Sequence, residues 1–221
     1  MNPVKILHTS DVHGEIDRLC ALLSRPDYDL WVDTGDLQPD RWREGARANF
    51  DRQQAWWADG SVARRLRLAL ADRPVVLCYG NHDHYEFGGL IDAHHVGVHQ
   101  CAEVLGLRFA GFADTPVIAR DYFPRQRDPA ALATLVRGMV RLAPDVLMTH
   151  APPSGPWSHK PAWGLPGLAE ALQTSQGIQA HLCGHIHERG TEGPQWVGPV
   201  PLYNSARRHN LLAVTPRPPV A

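Results

Sequence analysis

Five short polar motifs each follow a run of apolar residues, and they carry side chains that commonly bind metal ions. The motifs are Asp11-Val12-His13, Gly35-Asp36, Gly80-Asn81-His82-Asp83, Thr149-His150 and Gly184-His185-Ile186-His187. Each apolar run has the length of a buried strand. In an extended backbone, residues i and i+2 point to the same side, so each Asp-x-His or His-x-His pair can converge on one ion. Carboxylate, amide and imidazole ligands without thiolate favour Mn²⁺, Fe or Zn²⁺. The sequence therefore predicts a metal centre built at strand ends.

Apolar runs and helical periodicity predict the elements that position these motifs. The predicted strands cover residues 4–9, 28–32, 74–77, 96–101, 107–112, 145–148, 180–183, 195–203 and 210–214. The predicted helices cover residues 16–25, 61–71, 128–142 and 166–174, with Ser61 and Asp128 as N-caps. Strands alternate with helices in the first half and follow one another near the end. This order predicts an α/β fold of two packed mixed β-sheets flanked by helices, in one domain over residues 1–221.

Composition sets the broad class of the protein. The chain has 221 residues, is 43% hydrophobic and carries a formal net charge of −1, which suits a single globular core and gives no global attraction to polyanions. Its four cysteines contain no Cys-x-x-Cys pair, so a structural zinc knuckle is not expected. No apolar run reaches the length of a membrane span or a signal-peptide core, which predicts a cytoplasmic protein without membrane contact.

The order of the five motifs resembles that of the calcineurin-like metallophosphoesterases, over residues 4 to about 187. The resemblance implies an αββα sandwich and two divalent metal ions, most readily Mn²⁺, with Fe or Zn²⁺ as alternatives. It implies that one metal is held by Asp11, His13, Asp36 and His187. It implies that the other is held by Asp36, Asn81, His150 and His185, with Asp36 as the bridge. His82 would face the substrate phosphate as general acid or charge stabiliser, oriented by Asp83.

The motifs leave the substrate open within that family. Family members that dephosphorylate proteins carry Gly-Asp-x-x-Asp-Arg-Gly and Gly-Asn-His-Glu, whereas here Gly35-Asp36 is followed by Leu37-Gln38-Pro39-Asp40 and the third motif ends in Asp83. A protein phosphatase is therefore disfavoured. His8-Thr9-Ser10-Asp11 resembles the branch of DNA-repair nucleases. Thr149-His150-Ala151-Pro152-Pro153 resembles the branch of cyclic-nucleotide phosphodiesterases.

An insertion at about residues 41–73 bears on this choice, because it holds eight arginines against four acidic residues, with three tryptophans interleaved. Arginines bind the backbone and exposed aromatic rings stack the bases in single-strand grooves. Alternatively, the arginines line a solvated helix face and the tryptophans pack beneath it. The candidate substrate contacts in the insertion are Arg64, Arg65, Arg67, Trp42 and Trp56. His84 and Tyr85 are further candidates, because they follow the third motif closely enough to line the site.

The leading hypothesis is a manganese-dependent phosphodiesterase acting on nucleic acid, specifically a single-strand DNA endonuclease. The alternative is a small-molecule phosphoesterase such as a cyclic-nucleotide phosphodiesterase. A third interpretation, a metal-binding scaffold without activity, is opposed by the complete set of ligands and by His82.

Overall fold

Two β-sheets pack face to face, and helices cover the outer face of each. The computed structural model describes residues 2–98, 100–119 and 122–218. This four-layer arrangement confirms the predicted fold class. Among the described residues, no helix is both long and apolar enough to cross a bilayer.

The first sheet has five strands. They are β1 (Val4–Thr9), β2 (Leu30–Asp33), β3 (Val75–Leu77), β4 (His94–His95) and β13 (His209–Val214). The strand order is β13-β1-β2-β3-β4, and only β13 is antiparallel to its neighbour. Because β1, β2 and β3 run in parallel, the residues that follow them all lie at one edge of the sheet.

The second sheet has six strands, in the order β11-β12-β10-β9-β6-β5. They are β5 (Cys101–Val104), β6 (Leu107–Phe112), β9 (Val146–Thr149), β10 (Ala180–Cys183), β11 (Gln195–Val197) and β12 (Val200–Asn204). The four central strands are parallel. A separate two-stranded ribbon joins β7 (Thr115–Pro116) to β8 (Gln126–Arg127).

Five α-helices form the outer layers. They are α1 (Ile16–Leu23), α2 (Gly45–Ala58), α3 (Ser61–Leu70), α4 (Pro129–Arg141) and α5 (Leu168–Thr174). The first three cover the first sheet, and the last two cover the second. The predicted cap of α4 is confirmed, because the Asp128 carboxylate accepts hydrogen bonds from the N–H groups of Ala130 and Ala131.

The core lies in three layers, which explains why the strands read as continuous apolar runs. Ile6 and Phe109 are fully buried between the two sheets. Leu7 points from β1 to the opposite face, where it packs with Leu66 of α3, and Leu147 packs with Leu132 of α4 beneath the second sheet. Both faces of each sheet are covered, so the side chains on either face of a strand can be apolar.

Two strand predictions were wrong. The predicted strand 96–101 includes residue 99, which lies outside the described residues; the observed strand is 101–104, which forms a hairpin with β6 through Leu105 and Gly106, both at positive φ. The predicted strand 195–203 is a hairpin of β11 and β12, turned at Gly198 with φ 59°. For residues 195–203, the tight turn with positive φ at Gly198 is the physical reason for the difference.

The insertion also differs from prediction. Residues 45–58 form the helix α2, which periodicity did not indicate. Ser61 is the first helical residue of α3 and not its N-cap. Its N–H donates to the Asp59 carboxylate at 2.8 Å, so the aspartate two residues earlier provides the side-chain acceptor.

Candidate metal centre

The predicted ligands come together at one edge shared by both sheets. Asp11 and His13 follow β1, Asp36 follows β2, Asn81 follows β3, His150 follows β9, and His185 and His187 follow β10. The sheets contact each other here through these side chains. His187 Nε2 lies 3.0 Å from Asp11 Oδ1, and His150 Nε2 lies 3.1 Å from Asp36 Oδ2. The parallel strands of both sheets thus deliver ligand-type residues to a common point.

Four of these residues hold an unusual backbone conformation. Asp11, His13, Asp36 and His185 have φ of 56°, 46°, 57° and 69°, a left-handed region that costs a non-glycine residue roughly 1 kcal/mol or more. Backbone hydrogen bonds hold the first two turns, from Asp11 N to Gly35 O and from His13 N to Asp36 O, both at 2.9 Å. Strain at four of seven candidate ligands is typical of a functional site.

Glycines allow the loops beneath the site to touch. A Cβ at Gly35 would overlap the backbone of Gly80, and a Cβ at Gly80 would overlap the Asp36 carboxylate. A Cβ at Gly184 would overlap the Ser10 and Asp11 side chains. These three glycines and their neighbours form the floor of the site, where no side chain fits between one loop and the next.

Unpartnered polar atoms test whether the residues suit metal ions. His13 Nε2, Asn81 Oδ1, His150 Nε2 and His185 Nε2 are buried and accept no hydrogen bond from the described residues. Hydrogen bonds at Nδ1 fix the orientation of two of the imidazoles. The Nδ1–H of His13 donates to Asp40 Oδ1 at 2.6 Å, and that of His150 donates to Thr34 O at 2.7 Å. Their Nε2 atoms therefore face the centre, where they can bind a metal ion once they are deprotonated. The donor set fits divalent cations.

Two overlapping groups of ligand atoms lie within this set. Asp11, His13 and His187 offer three atoms within 4.8 Å of one another, and Asp11, Asp36 and His150 offer another three. Neighbouring groups of this kind suit two cations side by side. The assignment of each residue to one metal, with Asp36 as the bridge, stays a prediction.

Opposite charges fix the protonation of the site. Burial alone would raise the pKa of Asp11 and Asp36. The hydrogen bond from His187 to Asp11, and the charge of His150 near Asp36, nevertheless hold both pKa values well below the usual range. Burial opposes protonation of His150, but Asp36 outweighs it and raises the His150 pKa to about 10. The Asp40 hydrogen bond likewise overcomes burial and raises the pKa of His13 to about 9. A cation must therefore displace protons from these imidazoles.

His82 is oriented by Asp40, so the predicted role of Asp83 is wrong. The Nδ1–H of His82 donates to Asp40 Oδ2 at 2.6 Å, while the other oxygen of Asp40 accepts from His13. The Asp83 carboxylate turns away and accepts backbone N–H groups from Gly80 and Asp36, both at 2.8 Å. Asp83 thus stabilises the backbone of the loops that contain Gly80 and Asp36. Asp40 links His13, a candidate metal ligand, to His82, the candidate general acid.

Asp40 is a candidate site residue that the sequence did not indicate. It lies four residues after Asp36, in the loop that leaves β2, and its side chain is 8% exposed. Its hydrogen bonds to His13 and His82 hold its pKa below the usual range against the opposing effect of burial. Its proximity to Asp36 in the chain was the available signal.

A cleft of about 160 Å³ opens beside the ligands. Its lining residues are Asp36, Trp42, Asn81, His82, Ile118, Phe123, Trp163, His185, Ile186 and His187. Of the predicted substrate contacts, only Trp42 is in this lining. Ile118, Phe123, Trp163 and Ile186 were not predicted, because they come from loops far apart in the chain.

The remaining predicted contacts lie elsewhere. Trp56 is half-buried and packs edge-to-face on Trp57 at 4.8 Å, above the core of the first sheet. The backbone N–H groups of His84 and Tyr85 donate to Gln53 Oε1 at 2.7 and 2.9 Å, which ties their loop to α2.

The three arginines lie on the exposed surface of α3. Arg65 forms an ion pair with Asp17, Arg67 donates to Leu90 O at 2.9 Å, and Arg64 is exposed. None of the three lines the cleft formed by the described residues.

Comparison with known proteins agrees with this geometry. The family model for calcineurin-like phosphoesterases matches residues 4–189. The structure is similar to that of the protein TT1561 from Thermus thermophilus, with a TM-score of 0.60 and 14% identity over 92% of this chain and 89% of that one.

It is also similar to the calcineurin-like phosphoesterase YfkN from Bacillus subtilis, with a TM-score of 0.48 and 13% identity over 91% and 81% of the two chains. Among curated protein sequences, none matches this chain significantly. Since the family model spans most of the chain and includes every candidate ligand, the protein belongs to the calcineurin-like phosphoesterases, which are metal-dependent hydrolases of phosphoester bonds.

Proposed function

We propose that this phosphoesterase is a two-metal phosphodiesterase that cuts single-stranded nucleic acid, with His82 as the general acid. The observation that supports the proposal is the position of His82. It lines the same cleft as the candidate ligands Asp36, Asn81 and His185, and Asp40 holds its ring there. A proton donor beside a pair of cations is the arrangement that an in-line displacement at phosphorus needs.

The residues divide into two candidate sets. Asp11, His13, Asp36 and His187 would hold one cation, and Asp36, Asn81, His150 and His185 the other. Oxygen and imidazole donors suit Mn²⁺, which we propose as the working metal, with Fe and Zn²⁺ as the alternatives. When bound, the two cations activate water as the nucleophile and offset the negative charge of the phosphate oxygens.

His82 supplies the proton for the leaving group. Burial lowers its pKa, but the charge of Asp36 and the hydrogen bond to Asp40 outweigh burial and raise the pKa above its usual value. A raised pKa favours the imidazolium form, which is the form that a general acid must have before the reaction. As the bond between phosphorus and the leaving oxygen breaks, the imidazolium transfers its proton to that oxygen and becomes neutral.

A polymeric substrate accounts for features outside the cleft. Trp42 is 52% exposed at the cleft, and it belongs to the arginine-rich insertion. Arg64, Arg65 and Arg67 lie beyond the cleft on α3, so only a substrate longer than the cleft can reach them. Single-strand binding proteins commonly combine arginines that contact the backbone with aromatic rings that stack on the bases.

A triple variant tests the nucleic-acid proposal. Arg64→Ala, Arg65→Ala and Arg67→Ala together should weaken cleavage of single-stranded DNA by Mn²⁺-loaded enzyme. Each lost phosphate contact should also reduce the log–log salt slope by roughly 0.7. Hydrolysis of bis(p-nitrophenyl) phosphate should be unchanged, because this small substrate needs only the cleft.

The matched control removes two arginines from the opposite side of the molecule. Arg137→Ala with Arg141→Ala changes α4, which covers the second sheet, and should leave the salt slope as in the parent. Equal slopes for the parent and the α3 variant would contradict the nucleic-acid proposal. Activity that persists in chelator would contradict the metal requirement.

A small diester is the second candidate substrate, and the size of the cleft favours it. The cleft is small, about 160 Å³, and its described lining contains no lysine or arginine that could bind a second phosphate of a longer chain. A cyclic nucleotide would satisfy these limits. Comparing kcat/KM for single-stranded DNA, RNA, and 2′,3′- and 3′,5′-cyclic nucleotides distinguishes the candidates. An inactive metal-binding scaffold would hydrolyse none of them, nor the aryl diester.

A further inference from the structure

Three aromatic residues form a wall beside His82. This aromatic wall consists of Trp42, Tyr122 and Phe123, whose ring centroids lie 4.5 to 5.3 Å apart. Phe123 is 4.6 Å from the His82 ring, and Trp42 is 6.3 Å from it. Phe123 is only 6% exposed, whereas Trp42 is 52% exposed. The wall therefore presents the indole of Trp42 to whatever enters the cleft.

Hydrogen bonds fix the backbone next to this exposed indole and the ring of Tyr122 against which it packs. Asn49 is fully buried, and its side chain accepts from Arg41 N at 2.7 Å and donates to Tyr122 Oη at 2.9 Å. Tyr122 Oη in turn donates to Arg41 O at 3.1 Å. The backbone next to Trp42 is thus fixed by a buried polar side chain. The half-exposed ring packs on Tyr122 and Phe123 at the cleft, so its free face is available for stacking with a ligand.

The rest of the lining fits a flat apolar group. Ile118, Trp163 and Ile186 line the cleft with the wall, and the described lining contains no cationic lysine or arginine for a second phosphate. Clefts of this type, mostly apolar with a few polar groups at one end, bind planar small molecules. The polar end here is formed by His82 and the candidate metal ligands.

We infer that the aromatic wall stacks the base of the leaving nucleoside. The argument rests on the proposed function, since a general acid at His82 must lie next to the leaving oxygen. The wall touches His82 directly, so a group that contacts the wall belongs to the leaving side of the diester. Trp42 is then a specificity-determining residue, and the preferred substrate carries a nucleobase where the leaving group departs.

Dinucleoside phosphates with one base removed test this inference. Three substrates are compared: one with both bases, and two in which a tetrahydrofuran abasic unit replaces either the 3′ or the 5′ nucleoside. Product analysis identifies the nucleoside that leaves. In the parent enzyme with Mn²⁺, loss of the leaving base should lower kcat/KM roughly 5- to 150-fold, the range for one base–aromatic stack. Loss of the other base should have little effect.

Variants of Trp42 complete the test. Trp42→Ala should remove the preference for the leaving base, and Trp42→Phe should retain part of it. Trp196→Ala is the matched control, because Trp196 is 60% exposed on β11 and lies outside the cleft, and it should keep the full preference. Metal binding and thermal denaturation of Trp42→Ala should match the parent.

The outcomes separate the inference from the proposed function. Equal cleavage of base-containing and abasic substrates by the parent overturns the inference alone, as does a preference that survives in Trp42→Ala. If the metal-loaded parent cleaves no diester, including bis(p-nitrophenyl) phosphate, the proposed function fails and the inference with it.

Discussion

At the scale of single residues, Asp40 is the side chain on which the site depends most beyond the ligands themselves. Asp40→Asn keeps the size but gives an amide that cannot accept from both imidazoles. We expect kcat to fall roughly 10- to 100-fold at saturating metal. Since the Asp40 charge raises the pKa of His82, the alkaline limb of the pH–rate profile should move to lower pH. Rate measurements from pH 6 to 10 check both effects.

Asp27→Asn is the control for this variant. Asp27 is an exposed partner of Arg25, and its side chain is 42% exposed. Its replacement should leave the rate and the pH profile unchanged. A profile of Asp40→Asn that overlies that of the parent would show that Asp40 does not position His82.

Metal affinity should depend on pH because His13 and His150 bind protons tightly. Their pKa values are raised to about 9 and 10 when no cation competes, and each must lose its proton to bind metal. Between pH 7 and 9 the apparent association constant should therefore rise with pH, by up to about a factor of 100 per pH unit for two protons. Calorimetry in buffers of different ionisation enthalpy measures the protons released. Release of no protons at pH 7 would contradict this account.

The candidate ligands could be predicted, while Asp40 and the role of Asp83 could not. Asp11 and His13 were predictable because ligand-type residues follow directly after an apolar run. The assumed extended geometry was wrong, since both residues have positive φ and lie beyond the end of β1. Asp83 is next to His82 in the chain, yet its carboxylate turns back to the N–H groups of Gly80 and Asp36. Adjacency in sequence does not determine side-chain direction in a turn. Contacts made by a loop depend on its three-dimensional path.

At the scale of elements, the tryptophans of the insertion separate into two kinds. Trp56 packs on Trp57 and on the core of the first sheet. Trp56→Ala should therefore lower the free energy of unfolding by about 2 kcal/mol, roughly half the cost for a fully buried tryptophan. Chemical denaturation measures this change. Activity per folded molecule should stay as in the parent.

Trp196→Ala is again the comparison, because this exposed side chain should cost less stability than Trp56. If Trp56→Ala instead kept its stability and lost single-strand binding, Trp56 would be a substrate contact, as the sequence predicted.

The sequence pattern did not predict the helix α2, because this helix buries polar side chains as well as apolar ones. Its buried residues include Asn49 and Gln53 along with Trp57, so its inner face has no regular apolar stripe. Gln53 instead anchors it, donating to His82 O at 2.7 Å and accepting from the loop that follows. Periodicity detects helices that bury apolar faces, as α4 does, and misses one held by polar contacts.

At the scale of the whole molecule, the candidate centre joins the two sheets. Asp36 and Asn81 follow strands of the first sheet, and His150 and His185 follow strands of the second. Cations that bind only the folded chain should raise the free energy of unfolding by about 2.7 kcal/mol at a concentration 100 times Kd. For a chain of this size Tm should rise roughly 5–10 °C. Thermal denaturation with Mn²⁺ and with chelator measures the shift.

Two histidine variants make this test specific. His185→Ala removes a candidate ligand and should show a smaller shift. His209→Ala removes a half-buried histidine on β13 that neighbours Arg25, so it should keep the full shift. Equal Tm values with Mn²⁺ and with chelator in the parent would contradict a cation link between the sheets.

The two packed sheets were predictable from the alternation of strands and helices, but the order of the strands within each sheet was not. Apolar runs such as 4–9 and 180–183 identify strands buried on both faces. Which strand ends meet is set by sheet order, with β1 beside β2 and β9 beside β10. That order arises from long-range pairing, which a local pattern does not encode.

The floor built around Gly35, Gly80 and Gly184 has a consequence for how this enzyme can diversify. Those glycines have no room for a side chain, so the part of the site that carries the chemistry tolerates almost no variation. The positions that face the substrate from the sides, such as 42, 118 and 163, lie on separate loops and are under no such restriction. Libraries randomised at these side positions should therefore yield folded enzymes with new substrate preferences, whereas libraries at the three glycines should yield few folded proteins.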